Sequence, residues 1–255
     1  MEPKVAIQKI REFLKNEHDT GKNLITIKAT SNQFNTTDDT KIKFGLNKYK
    51  EIILEEETGL ELGGINKKSF SIVIPIEEIN LLHPGNVILL GNEVNTIKEL
   101  KVDFGIILLI GINKDNQENI DELRQLNFLS DGIEGFSIRT IPRRFWCRIS
   151  NSALQKGFSF ELLGNAIIQL YLQKFKELVK SVEVIFINSY PDSIDRFIVL
   201  SSEIFAEIRE KWKKKIDEWR KRIDCEYDWG CEICPYQEEC YEIKQILASR
   251  EEIKS

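Results

Sequence analysis

Phe104-Gly-Ile-Ile-Leu-Leu-Ile, at residues 104–110, is an unbroken apolar run of the kind found in a β-strand that is covered on both faces. A second run, Val87-Ile-Leu-Leu at residues 87–90, has the same pattern. Both runs are far shorter than the roughly 20 apolar residues that a membrane-spanning helix needs. Together they predict a sheet that is largely buried inside the protein.

Outward from these two strands, the sequence predicts helices that alternate with strands, which is the pattern of an α/β layered domain with a mixed sheet. The predicted strands lie at 23–28, 41–44, 51–56, 70–75, 87–90, 104–110, 135–139, 144–149 and 182–187. The predicted helices lie at about 4–16, 115–125, 160–180, 201–223 and 237–252. In the first helix, one apolar side is predicted from helical spacing and comprises Val5, Ile7, Ile10, Phe13 and Leu14.

Three domains are predicted from this order of elements. Residues 1–57 hold the first helix and polar strands, and residues 58–200 form the α/β core. Residues 201–255 hold a long charged helix and then a small helical segment that is rich in cysteine.

The overall charge limits the functional classes. A formal net charge of −5 argues against a general nucleic-acid binder, which normally has a basic balance. The basic residues of the helix at 201–223 alternate with acidic ones, so we interpret them as a solvated face. The N-terminus carries charges throughout and does not resemble a signal peptide. We therefore expect a cytoplasmic protein without a membrane segment, in which thiols stay reduced.

Four of the five cysteines lie close together near the C-terminus, as Cys225, Cys231, Cys234 and Cys240. Their C-x5-C-x2-C-x5-C spacing predicts a metal site, because clustered cysteines in a reducing compartment usually bind metal. An iron–sulfur cluster takes four thiolates, and Pro235 directly follows a cysteine as in bacterial ferredoxins. We therefore predict that the four cysteines bind a 4Fe-4S cluster.

Two alternatives stay open for these cysteines. Structural zinc also favours four thiolates and a C-x2-C pair, although zinc ribbons usually carry two such pairs. Four unligated thiols would be an oxidation liability. The fifth cysteine, Cys147, lies in a predicted strand with Phe145 and Ile149, so we expect it to be a small buried apolar residue.

A second candidate site follows from the alternation of side chains in the strand at 143–149. Arg144, Trp146 and Arg148 are predicted to share the face opposite the core. An indole between two guanidinium groups can stack on a base while the guanidinium groups neutralise phosphates. The alternative is a strand face that a helix covers, with its arginines paired to acids.

Three sequence stretches occur in a defined order: Thr58-Gly-Leu-Glu-Leu-Gly-Gly, then Glu134-Gly-Phe to Phe145-Trp-Cys-Arg-Ile-Ser, then Ala153-Leu-Gln-Lys-Gly-Phe. The charged helix and Cys231-x2-Cys234 follow. In this order the chain resembles the acetyl-CoA synthase family, the nickel enzyme partnered with carbon monoxide dehydrogenase, over roughly residues 50–240. The resemblance implies that 58–200 corresponds to the family's middle domain. It also supports the 4Fe-4S prediction and implies that coenzyme A docks on the face of Arg144, Trp146 and Arg148.

One departure from the family changes the expected function. The family holds its second nickel in a Cys-Gly-Cys motif, and this sequence contains no Cys-Gly-Cys. The resemblance therefore implies a truncated relative that binds no nickel and has no acetyl-CoA synthase activity by itself. We expect an electron-transfer or accessory subunit with a protein partner in a redox or corrinoid/CO dehydrogenase-type complex. The alternatives are a subunit that binds coenzyme A or acyl-CoA and a zinc-binding structural module.

Overall fold

The computed structural model describes residues 3–28, 42–49, 53–64, 66–113, 120–141 and 144–204 of the chain. Contacts divide the chain into one unit of Glu2–Ser201 and a second of Met1 and Ser202–Ser255. The first unit is α/β with mixed sheets, as predicted. The predicted cysteine-rich helical segment lies outside the described residues. Among the described helices, none is both long and apolar enough to cross a membrane.

The described helices are α1 (Pro3–Asp19), α2 (Asn151–Gln155), α3 (Phe160–Lys174) and α4, which spans 191–204 within the described range. The strands are β1 (Leu24–Lys28), β2 (Thr58–Gly63), β3 (Ser69–Ile76), β4 (Asn86–Leu90), β5 (Lys101–Val102), β6 (Phe104–Ile112), β7 (Phe136–Ile141), β8 (Arg144–Ser150) and β9 (Val179–Asn188). Short 3₁₀ turns occur at Ile79–Leu81, Val94–Thr96, Ile120–Arg124 and Leu126–Leu129.

The larger sheet has the strand order β1-β4-β9-β6-β3. Its β4–β9 and β6–β3 pairs are parallel, whereas β1–β4 and β6–β9 are antiparallel. Every residue of β6 is buried, as its apolar run predicts. One face of this sheet packs against α1 and α4, where Phe197 stacks on Phe70 and meets Phe13 edge-on.

The smaller sheet has the order β5-β2-β8-β7 and covers the other face of the larger sheet together with α3. Phe104 lies where these layers meet, because its ring stacks with those of Phe145, Phe160 and Phe186. These rings come from β8, α3 and β9. A single apolar core therefore joins both sheets and α3.

Several predicted elements are wrong in position. The described part of the strand predicted at 51–56 forms turns, in which the Glu57 N–H donates to the Leu54 carbonyl. The strand is instead β2, in which Leu60 and Leu62 are buried in the core. The exposed acids at 55–57 form the turn before it. The described residues of the strand predicted at 41–44 form one isolated bridge, from Phe44 to Ile133.

The helix predicted at 160–180 ends at Lys174, because the buried Phe175 starts a turn that leads into β9 at Val179. The described end of the helix predicted at 115–125 is a 3₁₀ turn, Ile120–Arg124. In α1, Val5 is exposed and Ala6 is buried in its place.

One side chain closes the free edge of β7. The Ser130 hydroxyl accepts a hydrogen bond from the Ile138 N–H at 2.8 Å and donates to the Ile138 carbonyl at 3.1 Å. It therefore takes the place of the next strand at that position. We expect Ser130→Ala to lower the free energy of unfolding by about 1–3 kcal/mol, because two buried backbone groups lose their partner. Chemical denaturation measures this. Ser137→Ala in the same strand is the control, and an equal loss there would contradict the role of Ser130.

Candidate functional site

The strand β8 carries the candidate ligand-binding residues. Phe145, Cys147 and Ile149 are 3% exposed or less, and Trp146 and Arg148 are half-buried on the opposite face. The predicted alternation along this strand is therefore confirmed. Arg144 begins the strand, and its side chain lies outside the described part of the structure.

The neighbouring strands add residues to the same face, because directly paired residues point to the same side of a sheet. Trp146 lies between Gly63 of β2 and Arg139 of β7. In the next row, Arg148 lies between Glu61 of β2 and Ser137 of β7, and Glu61 is paired in turn with Lys101 of β5. We call this surface the outer face, defined by Lys101, Glu61, Arg139, Trp146 and Arg148.

On the outer face, Arg148 is bound to an acid. Its Nε donates to Glu61 Oε2 at 3.0 Å, and its Nη1 donates to the Ile53 carbonyl at 3.2 Å. Glu61 is only 6% exposed, and Lys101 Nζ lies 3.4 Å from its other carboxylate oxygen. The alternative in which the arginines are paired to acids therefore holds for Arg148. Arg139 is exposed and makes no ion pair with any residue in the described ranges.

An open cavity of about 610 Å³ lies at the end of β8. It is lined by Ile53, Glu57, Glu134, Gly135 and residues 150–153. The Ser150 hydroxyl accepts from the Ala153 N–H at 3.1 Å and so caps α2. Ile53, whose carbonyl accepts the hydrogen bond from Arg148, is also one of the residues that line the cavity.

The charge on Glu134 in the cavity wall is stabilised by its neighbours. Its carboxylate accepts hydrogen bonds from Lys156 Nζ and from the Lys43 N–H, the latter at 3.0 Å. Burial by itself raises the pKa of Glu134, but these two bonds outweigh burial and lower the pKa below its ordinary value. The wall therefore presents an ionised carboxylate that Lys156 already neutralises.

Tertiary structure brings together the three stretches that carry the family resemblance. The stretch from Thr58 forms β2, which pairs with β8, and the stretch from Ala153 forms most of α2. Gly135 has a positive φ of 66°, and a Cβ there would lie 2.5 Å from the Ala153 Cβ. A side chain at this position would push the stretches apart, which explains why a glycine lies where they meet.

The cysteines divide between the described and undescribed parts of the chain. Cys147 is buried, as predicted, and burial raises the pKa of its thiol well above the ordinary value. Cys225, Cys231, Cys234 and Cys240 lie outside the described residues. Within the described ranges, no group of three or more His, Cys, Asp or Glu side chains is placed to hold a metal ion.

The sequence did not single out Glu61, and it did not distinguish Arg139 from the other arginines near Trp146. The polar Glu61 between Leu60 and Leu62 indicates a strand with one apolar and one polar face. That signal does not reveal that β2 pairs with β8, which brings Glu61 to Arg148.

Comparisons with known proteins agree with the sequence resemblance. The model of the CO dehydrogenase/acetyl-CoA synthase complex beta subunit family (CdhC) matches residues 40–192. The acetyl-CoA decarbonylase/synthase complex subunit beta of Methanopyrus kandleri is 24% identical over 167 residues, which are 65% of this chain and 33% of the relative. The carbon monoxide dehydrogenase/acetyl-CoA synthase subunit alpha of Moorella thermoacetica is 27% identical over 201 residues, 77% of this chain and 26% of the relative. The chain thus spans about a quarter to a third of these curated relatives.

Proposed function

Because the chain belongs to the family of the CO dehydrogenase/acetyl-CoA synthase complex beta subunit, we propose that it is a cluster-binding accessory subunit of a one-carbon metabolism complex. The observation that carries the proposal is the family match over most of the folded unit, followed in sequence by four clustered cysteines. The relatives are named as subunits of acetyl-CoA decarbonylase/synthase complexes or of carbon monoxide dehydrogenase/acetyl-CoA synthase, which supports a partner in a complex of that type. The partner itself belongs to the proposal.

The donor set supports a 4Fe-4S cluster. Cys225, Cys231, Cys234 and Cys240 supply four thiolates, the number that such a cluster takes. A cluster held by four thiolates has no open coordination position, so it would supply electron transfer or structural stability rather than substrate binding. Zinc bound by the same four thiolates is the alternative.

Anaerobic purification followed by metal analysis tests this proposal. We expect about four irons per chain, visible absorption typical of a cluster and an EPR signal after reduction. About one zinc per chain without iron would replace the cluster with a structural zinc module. Protein with neither metal, after expression in iron-replete cells, would contradict both.

A second candidate function is the binding of a CoA-type ligand on the outer face, with Arg144, Trp146 and Arg148 as the predicted site. The half-buried indole of Trp146 beside the exposed Arg139 supports it, because an aromatic ring and a guanidinium group together suit a base and a phosphate. Calorimetric titration of coenzyme A into the purified protein tests it. Absence of binding would exclude this function without affecting the cluster proposal.

A further inference from the structure

The strand β3 forms one free edge of the larger sheet. It pairs with β6 on one side only, in parallel orientation. The Lys68 carbonyl accepts a hydrogen bond from the Phe104 N–H of β6. Successive residues of a strand turn their backbone groups to opposite sides, so the even-numbered residues bond to β6. The residues whose backbone groups turn to the free edge are therefore Ser69, Ser71, Val73 and Pro75.

This edge differs from the free edges of the smaller sheet. There, β5 has only two residues, and the Ser130 side chain occupies the free edge of β7. The strand β3 has eight residues, and no hydrogen bond joins its outward backbone groups to any residue within the described ranges. Pro75 lacks an N–H, and proline is tolerated in a strand where its nitrogen faces away from the neighbour. A long edge with unpaired backbone groups is a template for another strand.

The two ends of β3 carry opposite charges. Lys67 and Lys68 precede the strand, and Glu77 and Glu78 follow it. Both acids and Lys68 are exposed, and Lys67 is half-buried. A second β3 in antiparallel orientation would bring its acidic end to the basic end of the first, whereas a parallel copy would bring like charges together. Opposite charges across two strands stabilise the pairing, so β3 is complementary to an antiparallel copy of itself.

We propose that two copies of this chain associate through their β3 edges, in antiparallel orientation, into one continuous sheet of ten strands, five from each copy. The two-fold axis passes beside Ile72. Ser71 then exchanges backbone hydrogen bonds with Val73 of the second copy, and the Ser69 N–H donates to the second copy's Pro75 carbonyl. The same residues meet from both sides, as a closed two-fold interface requires.

Side chains favour this register over its neighbours. It places Lys67 directly opposite Glu77 of the second copy, and the symmetric pair forms at the other end. Lys67 Nζ lies 3.2 Å from Glu99, whose side chain is 70% exposed, and an exposed pair of this kind contributes little stability that the new contact must replace. At the axis the half-buried Ile72 meets its copy, which removes apolar surface from water.

Sedimentation equilibrium of the whole chain, over a concentration series at low salt, tests the association. We expect a reversible monomer–dimer equilibrium. Glu77→Lys should weaken the dimer about tenfold, because a repulsive pair replaces an attractive one at both symmetric positions. The double variant Lys67→Glu/Glu77→Lys should restore most of the affinity, since it exchanges the charges across the interface. Glu177→Lys is the matched control, with the same charge change at an exposed acid in the turn before β9, and circular dichroism verifies the fold of each variant.

Cross-linking tests the register. Residues directly opposite in a pair that exchanges no hydrogen bonds have Cα atoms about 4.5 Å apart, which a disulfide can bridge. We therefore expect Ile72→Cys to give a disulfide-linked dimer on mild oxidation, with the two chains joined at position 72 in the mass spectrum of the digest. Ile79→Cys, in the 3₁₀ turn after β3 and also half-buried, should give no chain joined at position 79.

Each outcome decides the inference. A protein that stays monomeric throughout the series would overturn it, as would a dimer that Glu77→Lys and Glu177→Lys weaken equally. Equal cross-linking at positions 72 and 79 would overturn the register and with it the inference. A monomer whose Ser71 and Val73 amides resist hydrogen exchange would overturn it too and would show that another segment of the chain pairs with β3. None of these measurements depends on iron content, which judges the cluster proposal separately.

Discussion

Serine in place of any one of Cys225, Cys231, Cys234 or Cys240 is expected to remove most of the iron from the purified protein. The reason is that the chain offers four clustered thiolates for a cluster that takes four, so no cysteine is spare. Metal binding and local folding are coupled, and we therefore also expect the segment 202–255 to become more sensitive to protease. Iron per chain, visible absorption and limited proteolysis measure both effects.

Cys147→Ala is the matched control for these four variants. Its thiol is buried, and because burial raises its pKa, it is not a thiolate at neutral pH. We expect the control to keep its full iron content and spectrum. Normal iron content in Cys225→Ser, or loss of iron in Cys147→Ala, would show that the assigned ligands are wrong.

Glu17→Gln is expected to lower the free energy of unfolding by about 1.5–3 kcal/mol, because a neutral amide replaces the buried carboxylate that accepts charge-assisted hydrogen bonds, while Lys22 and Arg196 keep Asp192 as a second partner. Glu17 is 4% exposed on α1 and accepts two hydrogen bonds from Arg196 of α4, each 2.8 Å long. Lys22 Nζ lies 2.8 Å from the same carboxylate, and the Ser193 hydroxyl donates to it. This network joins the first helix of the unit to α4. Chemical denaturation monitored by circular dichroism measures the loss.

Glu12→Gln is the control for this variant, since the Glu12 carboxylate is exposed and bonds to Gln8 on the same helix. An exposed substitution of this kind changes stability by less than about 0.5 kcal/mol. If Glu17→Gln and Glu12→Gln have equal stability, the buried network does not hold α1 to α4.

The pH dependence of the same variant has a definite sign. Burial by itself raises the pKa of Glu17, but hydrogen bonds from Arg196, Lys22 and Ser193 outweigh burial and lower the pKa from 4.5 to about 2. A carboxyl with a lowered pKa in the folded state stabilises the protein above its unfolded pKa and loses that effect as the pH falls toward its folded pKa. The stability difference between wild type and Glu17→Gln should therefore be complete above pH 4.5 and shrink toward pH 2. A difference that grows as the pH falls would contradict this assignment.

Local pattern predicted most of the fold and part of the candidate site. The apolar runs at 87–90 and 104–110 correspond to the buried strands β4 and β6. The period-two pattern in β8 placed Phe145, Cys147 and Ile149 in the core. The pattern failed where tertiary packing decides the limits of an element, as in the turn before β2 and at the end of α3. The binding of a 4Fe-4S cluster by the four clustered cysteines stays a prediction.

The sequence by itself determined which segments are apolar enough to form strands and which side of β8 enters the core, because both depend on the spacing of neighbouring residues. Only the tertiary structure decided that β2 and β7 flank β8, which pairs Arg148 with Glu61 and places Arg139 beside Trp146. Glu61 and Arg148 are 87 residues apart in the chain. Their contact depends on the register of paired strands, and register is set by the burial of whole faces rather than by any local pattern.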